Sequence, residues 1–227
     1  MFKLTDVTKI YDSRRGTVRA LQGASLDIAK GGFVTVTGPS GSGKTTLLLT
    51  LGGLIRPTSG QVQFHGEDLA RFDERALAAY RNRHVGFVLQ SFNLIPYLSA
   101  LENVMVPMAL GRSASANGEH RPRARALLER LGLADRLEHL PRELSVGQQQ
   151  RVAIARALGN DPEVILADEP TGNLDPALAA EIMDLLRDLN EREGRTVVIV
   201  THSPEAARAG RQRVRLADGN CAAVAPV

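Results

Sequence analysis

The 227 residues carry 28 lysines and arginines against 25 aspartates and glutamates, a net charge of +3, and 43% of them are hydrophobic. That is chain enough for one globular core, of ordinary folded composition, and its charge balance is too mild to argue for nucleic acid as a partner. No apolar run approaches the roughly 18 residues that cross a bilayer.

The amino terminus, Met1 to Asp6, lacks the apolar centre of a secretory signal, so a cytoplasmic protein is expected, with any membrane role arising through a partner. Short strands are expected at Phe2 to Val7 and Ser25 to Ile28, with turn material around Asp12 to Gly16. Phe33 to Thr37 reads as a strand that runs straight into the loop Gly38-Pro39-Ser40-Gly41-Ser42-Gly43-Lys44-Thr45 and a helix from Lys44 to about Leu51.

That loop matches the pattern G-x-x-x-x-G-K-[ST]. Its glycines let successive backbone N–H groups wrap an anion without side chains in the way, and the following helix adds partial positive charge at its amino end. Lys44 would reach the β and γ phosphates of a nucleotide, Thr45 would ligate Mg²⁺, and Thr46 continues the nucleotide-binding run. Lysine occurs only at positions 3, 9, 30 and 44 in this arginine-rich chain, so Lys44 stands where a compact point charge fits between phosphates.

Three further strands are expected at Val85 to Leu89, Val164 to Ala167 and Thr196 to Val200, mostly aliphatic without alternation, as for parallel strands buried on both faces. Helical patterns cover Pro122 to Leu131, Gln148 to Leu158 and Ala177 to Glu193. The expected architecture is α/β with a mainly parallel core sheet, an amino-terminal antiparallel β subdomain and an inserted helical lobe. Residues 1–90 and 160–227 would form the core and residues 91–159 the lobe, with Gly111 to Gly118 a mobile loop within it.

Arg121, Arg123, Arg125 and Arg130 read as a solvated helix face. Cys221, the single cysteine, excludes an internal disulfide, fits a reducing compartment and carries no expected chemistry.

Each core strand is followed by polar residues of complementary chemistry: the glycine loop, Gln90, Asp168 with Glu169, and His202. Ligands of open parallel sheets bind at the carboxyl ends of the strands, so these read as one site. Asp168 is assigned to Mg²⁺, and Glu169 to general base for an attacking water. The two carboxylates are expected to point to opposite sides of the strand. His202 would contact the γ-phosphate and orient the water.

Leu144-Ser145-Val146-Gly147-Gln148-Gln149-Gln150-Arg151 resembles the L-S-G-G-Q signature of ATP-binding-cassette ATPases, and the resemblance extends in motif order over essentially the whole chain. It implies ATP and Mg²⁺ as ligands and a homodimer that sandwiches two ATPs, with Ser145, Val146, Gly147 and Gln148 of one copy meeting the γ-phosphate held by the other. It further implies that Tyr11 stacks on adenine and that Gln90 senses Mg²⁺ and links to a membrane partner. Asn173, Leu174 and Asp175 would lie in a loop crossing the dimer interface.

Val146 departs from the pattern by replacing the first glycine. Valine disfavours positive φ and adds bulk near the partner's triphosphate, so a weaker dimer is expected.

The stretches Ala167 to Asp175, Gln90 to Leu94 and Leu101 to Val104 are similar to a bacterial subgroup that includes macrolide and peptide exporters, lipoprotein-releasing machines and a cell-division ATPase. A permease would then dock near Gln90 to Val104, holding the chain at the inner face of the cell membrane. The alternatives are a regulatory cell-division ATPase and a soluble cassette acting in DNA repair or translation; the latter commonly fuses two cassettes or carries a coiled-coil insertion, and neither pattern occurs within these 227 residues.

Overall fold

The computed structural model describes residues 1–13, 16–110 and 117–224. A four-stranded antiparallel sheet is built from β1 (Phe2–Ser13), β2 (Gly16–Ile28), β4 (Ser59–Phe64) and β5 (Glu67–Asp68), in the order β2-β1-β4-β5. A six-stranded sheet combines β3 (Phe33–Thr37), β6 (Val85–Val88), β7 (Val164–Asp168), β8 (Thr196–Thr201), β9 (Gln212–Ala217) and β10 (Asn220–Val224), in the order β10-β9-β3-β8-β7-β6. All its pairings are parallel except β9 with β10.

The central strands are apolar throughout because both faces are covered. Val34, Val36, Val164, Leu166, Val198 and Val200 join Leu47, Leu48 and Leu51 of α1 (Lys44–Leu51) and the inner face of the antiparallel sheet. The alternate residues Phe33, Ile165, Ala167, Val197 and Ile199 pack on the other side against α3 (Ala100–Ala109), α4 (Asn117–Arg130), α5 (Val146–Leu158) and α6 (Pro176–Glu191). Two apolar clusters on opposite faces thus hold the sheet at a fixed depth, and its carboxyl edge is left to carry polar loops.

Several expectations change. β1 and β2 run far beyond Val7 and start well before Ser25, because register shifts between Leu4 and Val7, Val7 and Lys9, and Lys9 and Ile10 break the alternation by which a strand is recognised. α2 (Glu74–His84), α3, α7 (Pro204–Arg208), β4, β9 and β10 were not foreseen. α4 starts at Asn117, so Asn117 and Gly118 are helical, while the rest of the supposed loop, residues 111–116, lies outside the described residues. α5 starts two residues before Gln148 and α6 ends at Glu191.

The arginines of α4 are all exposed, as a solvated face requires, and make surface contacts: Arg121 pairs with Glu138, Arg125 with Glu129, Arg130 with Glu193, and Arg123 donates to the Gly159 carbonyl. Cys221 lies on β10, where burial pushes its thiol up to about 11, away from thiolate reactivity. No described helix is long and apolar enough to cross a membrane.

Candidate functional site

A cavity of ≈ 480 Å³ opens at the carboxyl edge of the six-stranded sheet, lined by Tyr11, Val18 and Ala20 on one side, by the loop and first turn of α1, and by Gln90, Asp168, Glu169 and His202. The residues past β3, β6, β7 and β8 therefore do converge on one space.

Within the loop, Ser40, Gly41, Gly43, Lys44, Thr45 and Thr46 line the cavity, whereas Gly38, Pro39 and Ser42 are not among its lining residues. Two glycines are required by close approach: a Cβ at Gly38 would lie 2.1 Å from the Leu216 carbonyl oxygen, and one at Gly43 2.1 Å from that of Ala20. Gly43 also has φ 100, which L side chains rarely adopt. The Lys44 ammonium is held across the loop by the carbonyls of Gly38 at 2.8 Å and Pro39 at 3.0 Å. Ser42 is buried, and its hydroxyl has no hydrogen-bond partner among the described residues.

Asp168 closes β7 and accepts a hydrogen bond from Thr45; burial raises its carboxyl above the ordinary value, the Thr45 hydroxyl works against this, and the Glu169 charge adds to it. A carboxylate and a hydroxyl side by side offer the hard oxygen donors that suit Mg²⁺, so the residues present fit that cation.

The strand alternation ends at Asp168. Glu169 has φ 46, and its backbone N–H donates to the Val200 carbonyl at 2.9 Å. Both carboxylates therefore line the same cavity rather than opposite sides of the strand. The Glu169 side chain is only 10% exposed and is fixed by Thr201 Oγ1 at 3.0 Å, the His202 backbone N–H at 3.2 Å and His202 Nδ1 at 2.8 Å. His202 itself is 66% exposed. A carboxylate so restrained keeps one orientation toward the cavity, as a base acting on a positioned water requires.

Tyr11 and Val18 are cross-strand partners on β1 and β2, and both are exposed on the cavity wall. Lys9 Nζ lies 5.1 Å from the Tyr11 ring centroid. Val18 and Ala20 were missed in the sequence; the only route to them was the register of the β1–β2 hairpin, which its bulges conceal. Thr201, one residue past the strand expected at Thr196 to Val200, closes β8 and has no local signal that sets it apart.

The remaining candidates lie elsewhere. Ser145 caps α5: its Oγ accepts the Gln148 N–H at 3.3 Å, while Gln148 Oε1 accepts the Ser145 N–H at 2.9 Å. Val146 opens α5, is 46% exposed and is not a positive-φ residue, so no backbone strain attaches to it and only its bulk remains. Gly147 is needed for packing rather than conformation: a Cβ would meet Leu178 Cδ2 of α6 at 2.3 Å. Asp175 caps α6 by accepting the Leu178 N–H at 3.0 Å, Leu174 packs against the helical cluster, and Asn173 Nδ2 donates to the Gln90 carbonyl at 3.2 Å. None of Ser145 to Gln148 or Asn173 to Asp175 lines the cavity of its own chain.

Comparison with known proteins places this geometry in context. Residues 21–172 match the family model described as ABC transporter. The chain is 46% identical over 223 residues to the lipoprotein-releasing system ATP-binding protein LolD of Geobacter metallireducens, covering 98% of each. It is 48% identical over 219 residues to the macrolide export ATP-binding/permease protein MacB of Syntrophobacter fumaroxidans, covering 96% of this chain and 31% of that longer protein. The solved dimer of the ATP-binding cassette MJ0796, in a post-hydrolysis state bound to ADP and Pi, superposes with a TM-score of 0.90 at 46% identity, covering 97% of this chain and 96% of that one.

Proposed function

The chain belongs to the ABC transporter family, and from that premise we propose that it binds and hydrolyses ATP as a homodimer whose closing and opening drive a membrane permease. One observation carries the proposal: a single cavity joins the Lys44 loop, Gln90, Asp168, Glu169 and His202, while Ser145 to Gln148, also at a helix amino end, stay outside it.

In this reading the triphosphate lies against the backbone N–H groups of Ser40 to Thr46, with the base against Tyr11 and Val18. Lys44 exchanges its hold on Gly38 and Pro39 for phosphate oxygens. Thr45, Asp168 and Gln90 would hold Mg²⁺, which when bound neutralises charge on those oxygens. Glu169, kept in place by Thr201 and His202, takes the proton of the attacking water, and His202 faces the terminal phosphate. Ser145, Val146, Gly147 and Gln148 of a second copy close over that phosphate, their free helical N–H groups favouring an anion. The segment after Asn173 would then lie at the junction of the two copies.

The permease would dock on residues 90–104. Asn103 is buried there and shapes the segment, accepting from the Ile95 N–H at 2.7 Å and donating to the carbonyls of Ile95, Leu98 and Ser99, while Tyr97 stands 77% exposed. The likeness to MacB and LolD supports an exporter or a force-transmitting machine, with the chain peripheral on the cytoplasmic face of the membrane.

Lys44→Ala should remove nucleotide retention in the presence of magnesium, and an integral membrane protein should co-purify with the wild-type chain. Unchanged retention in that variant contradicts the reading.

A further inference from the structure

Two polar side chains of α5 reach past the packed helical cluster into the loops of the nucleotide cavity. Gln150, 1% exposed, donates from Nε2 to the carbonyl of Pro170 at 2.7 Å, one residue beyond Glu169. Six residues further along, Arg156 donates from Nη1 to the Asn93 carbonyl and from Nη2 to the Phe92 carbonyl, each at 2.5 Å.

Phe92 and Asn93 have φ 56 and 49. Consecutive left-handed residues direct their carbonyls to one side, as within a helical turn, whereas an extended chain would send them to opposite sides. That conformation is unfavourable for a bulky residue such as Phe92 and persists only where its surroundings enforce it. The planar guanidinium supplies two donors in a fixed fork that matches the carbonyl pair; a lysine ammonium presents a single point charge. Gln90 lies two residues before Phe92, and its own carbonyl is held by Asn173.

We propose that Arg156 is a positioning residue that locks the Gln90 loop to the helix whose first turn closes the partner's site, so that occupancy of one nucleotide site in the dimer is transmitted to the other. This rests on the dimer reading above. α5 carries Ser145 to Gln148 at its amino end, Gln150 in its middle on the Glu169 loop, and Arg156 near its carboxyl end on the Gln90 loop. A shift of either loop on nucleotide binding must therefore displace α5 or break these bonds, and by linkage closure of the partner's site acts back on Gln90 with the same coupling.

The test compares wild type, Arg156→Ala and Arg156→Lys in the full chain. The measurements are steady-state ATPase rate against MgATP concentration, equilibrium binding of a fluorescent ATP analogue, and thermal melting. No atom of Arg156 lines the cavity, so analogue affinity should stay within about two-fold, since the direct contacts to nucleotide are kept. Turnover should fall between about ten-fold and about a hundred-fold, and the Hill coefficient should drop to 1. Arg156→Lys should restore the melting temperature without restoring turnover or cooperativity, which a merely structural arginine would not show.

Wild-type turnover and cooperativity in a folded Arg156→Ala, or in Arg156→Lys should the alanine variant fail to fold, overturns the proposal. So does an active wild-type chain with no cooperativity. A wild-type chain that neither retains nucleotide nor hydrolyses ATP instead defeats the reading of the site.

Discussion

Glu169 gives both of its carboxylate oxygens to His202: Oε1 lies 2.8 Å from the ring Nδ1, and Oε2 accepts the backbone N–H at 3.2 Å. The histidine thus fixes the carboxylate, and its mostly exposed ring still borders the cavity. The first residues past two neighbouring strands, β7 and β8, are thereby bound to each other.

Glu169→Gln retains the shape of the side chain and loses the proton acceptor. Hydrolysis should fall by at least about a hundred-fold, the lower range for loss of a general base, and the ATP-bound dimer should accumulate. Single-turnover assays and size-exclusion chromatography with ATP read both effects; normal turnover would refute the assignment.

Asp168→Asn separates stability from activity. Burial raises the Asp168 carboxyl above its ordinary 3.8, so its contribution to stability is full below 3.8 and is lost as pH rises through the folded value. At neutral pH the ionised group is a liability. The asparagine variant should melt ~1–3 °C higher at pH 7, lose magnesium-dependent hydrolysis, and show a shrinking advantage as pH is lowered. A lower melting temperature at pH 7 would count against this account.

Val146→Gly should tighten the ATP-dependent dimer several-fold, because a half-exposed side chain is removed from the helix end proposed to meet the partner's phosphates. The monomer should lose up to about 1 kcal/mol through glycine in the first turn of α5. Sedimentation in a Glu169→Gln background measures the first effect, and an unchanged dimer constant dismisses the role of Val146.

Gly147→Ala should behave oppositely. Its Cβ would press on Leu178 at 2.3 Å, and overpacking of this kind costs ~1–3 kcal/mol. Combining it with Leu178→Ala should recover part of the loss, which chemical denaturation of the four variants would quantify. Additive losses would show that the contact is not the cause.

What the sequence disclosed follows from how local each feature is. Gly38 to Thr45 and Asp168-Glu169 are contiguous, so their chemistry is written in one stretch and the apolar strands before them mark where they lie. Val18 meets Tyr11 only through the register of a bulged hairpin, and no run of residues near either one records that pairing. Arg156 sits among Ile154, Ala155 and Leu158, where helix periodicity predicts core packing; the carbonyls it holds are 63 and 64 residues away in the chain. The positive φ of Glu169, which brings both carboxylates into one cavity, carries no glycine or asparagine to announce it.

The two carbonyls that hold Lys44 have a further consequence. The Lys44 ammonium spends two of its donors on neutral carbonyl oxygens of its own loop, so an anion bound by that ammonium has to displace those acceptors. Chloride or a lone monovalent oxyanion brings too little charge to win that exchange, whereas a chain of linked phosphates brings several negative oxygens at once. On the proposed function, that contact sets a threshold that favours linked phosphates over single monovalent anions.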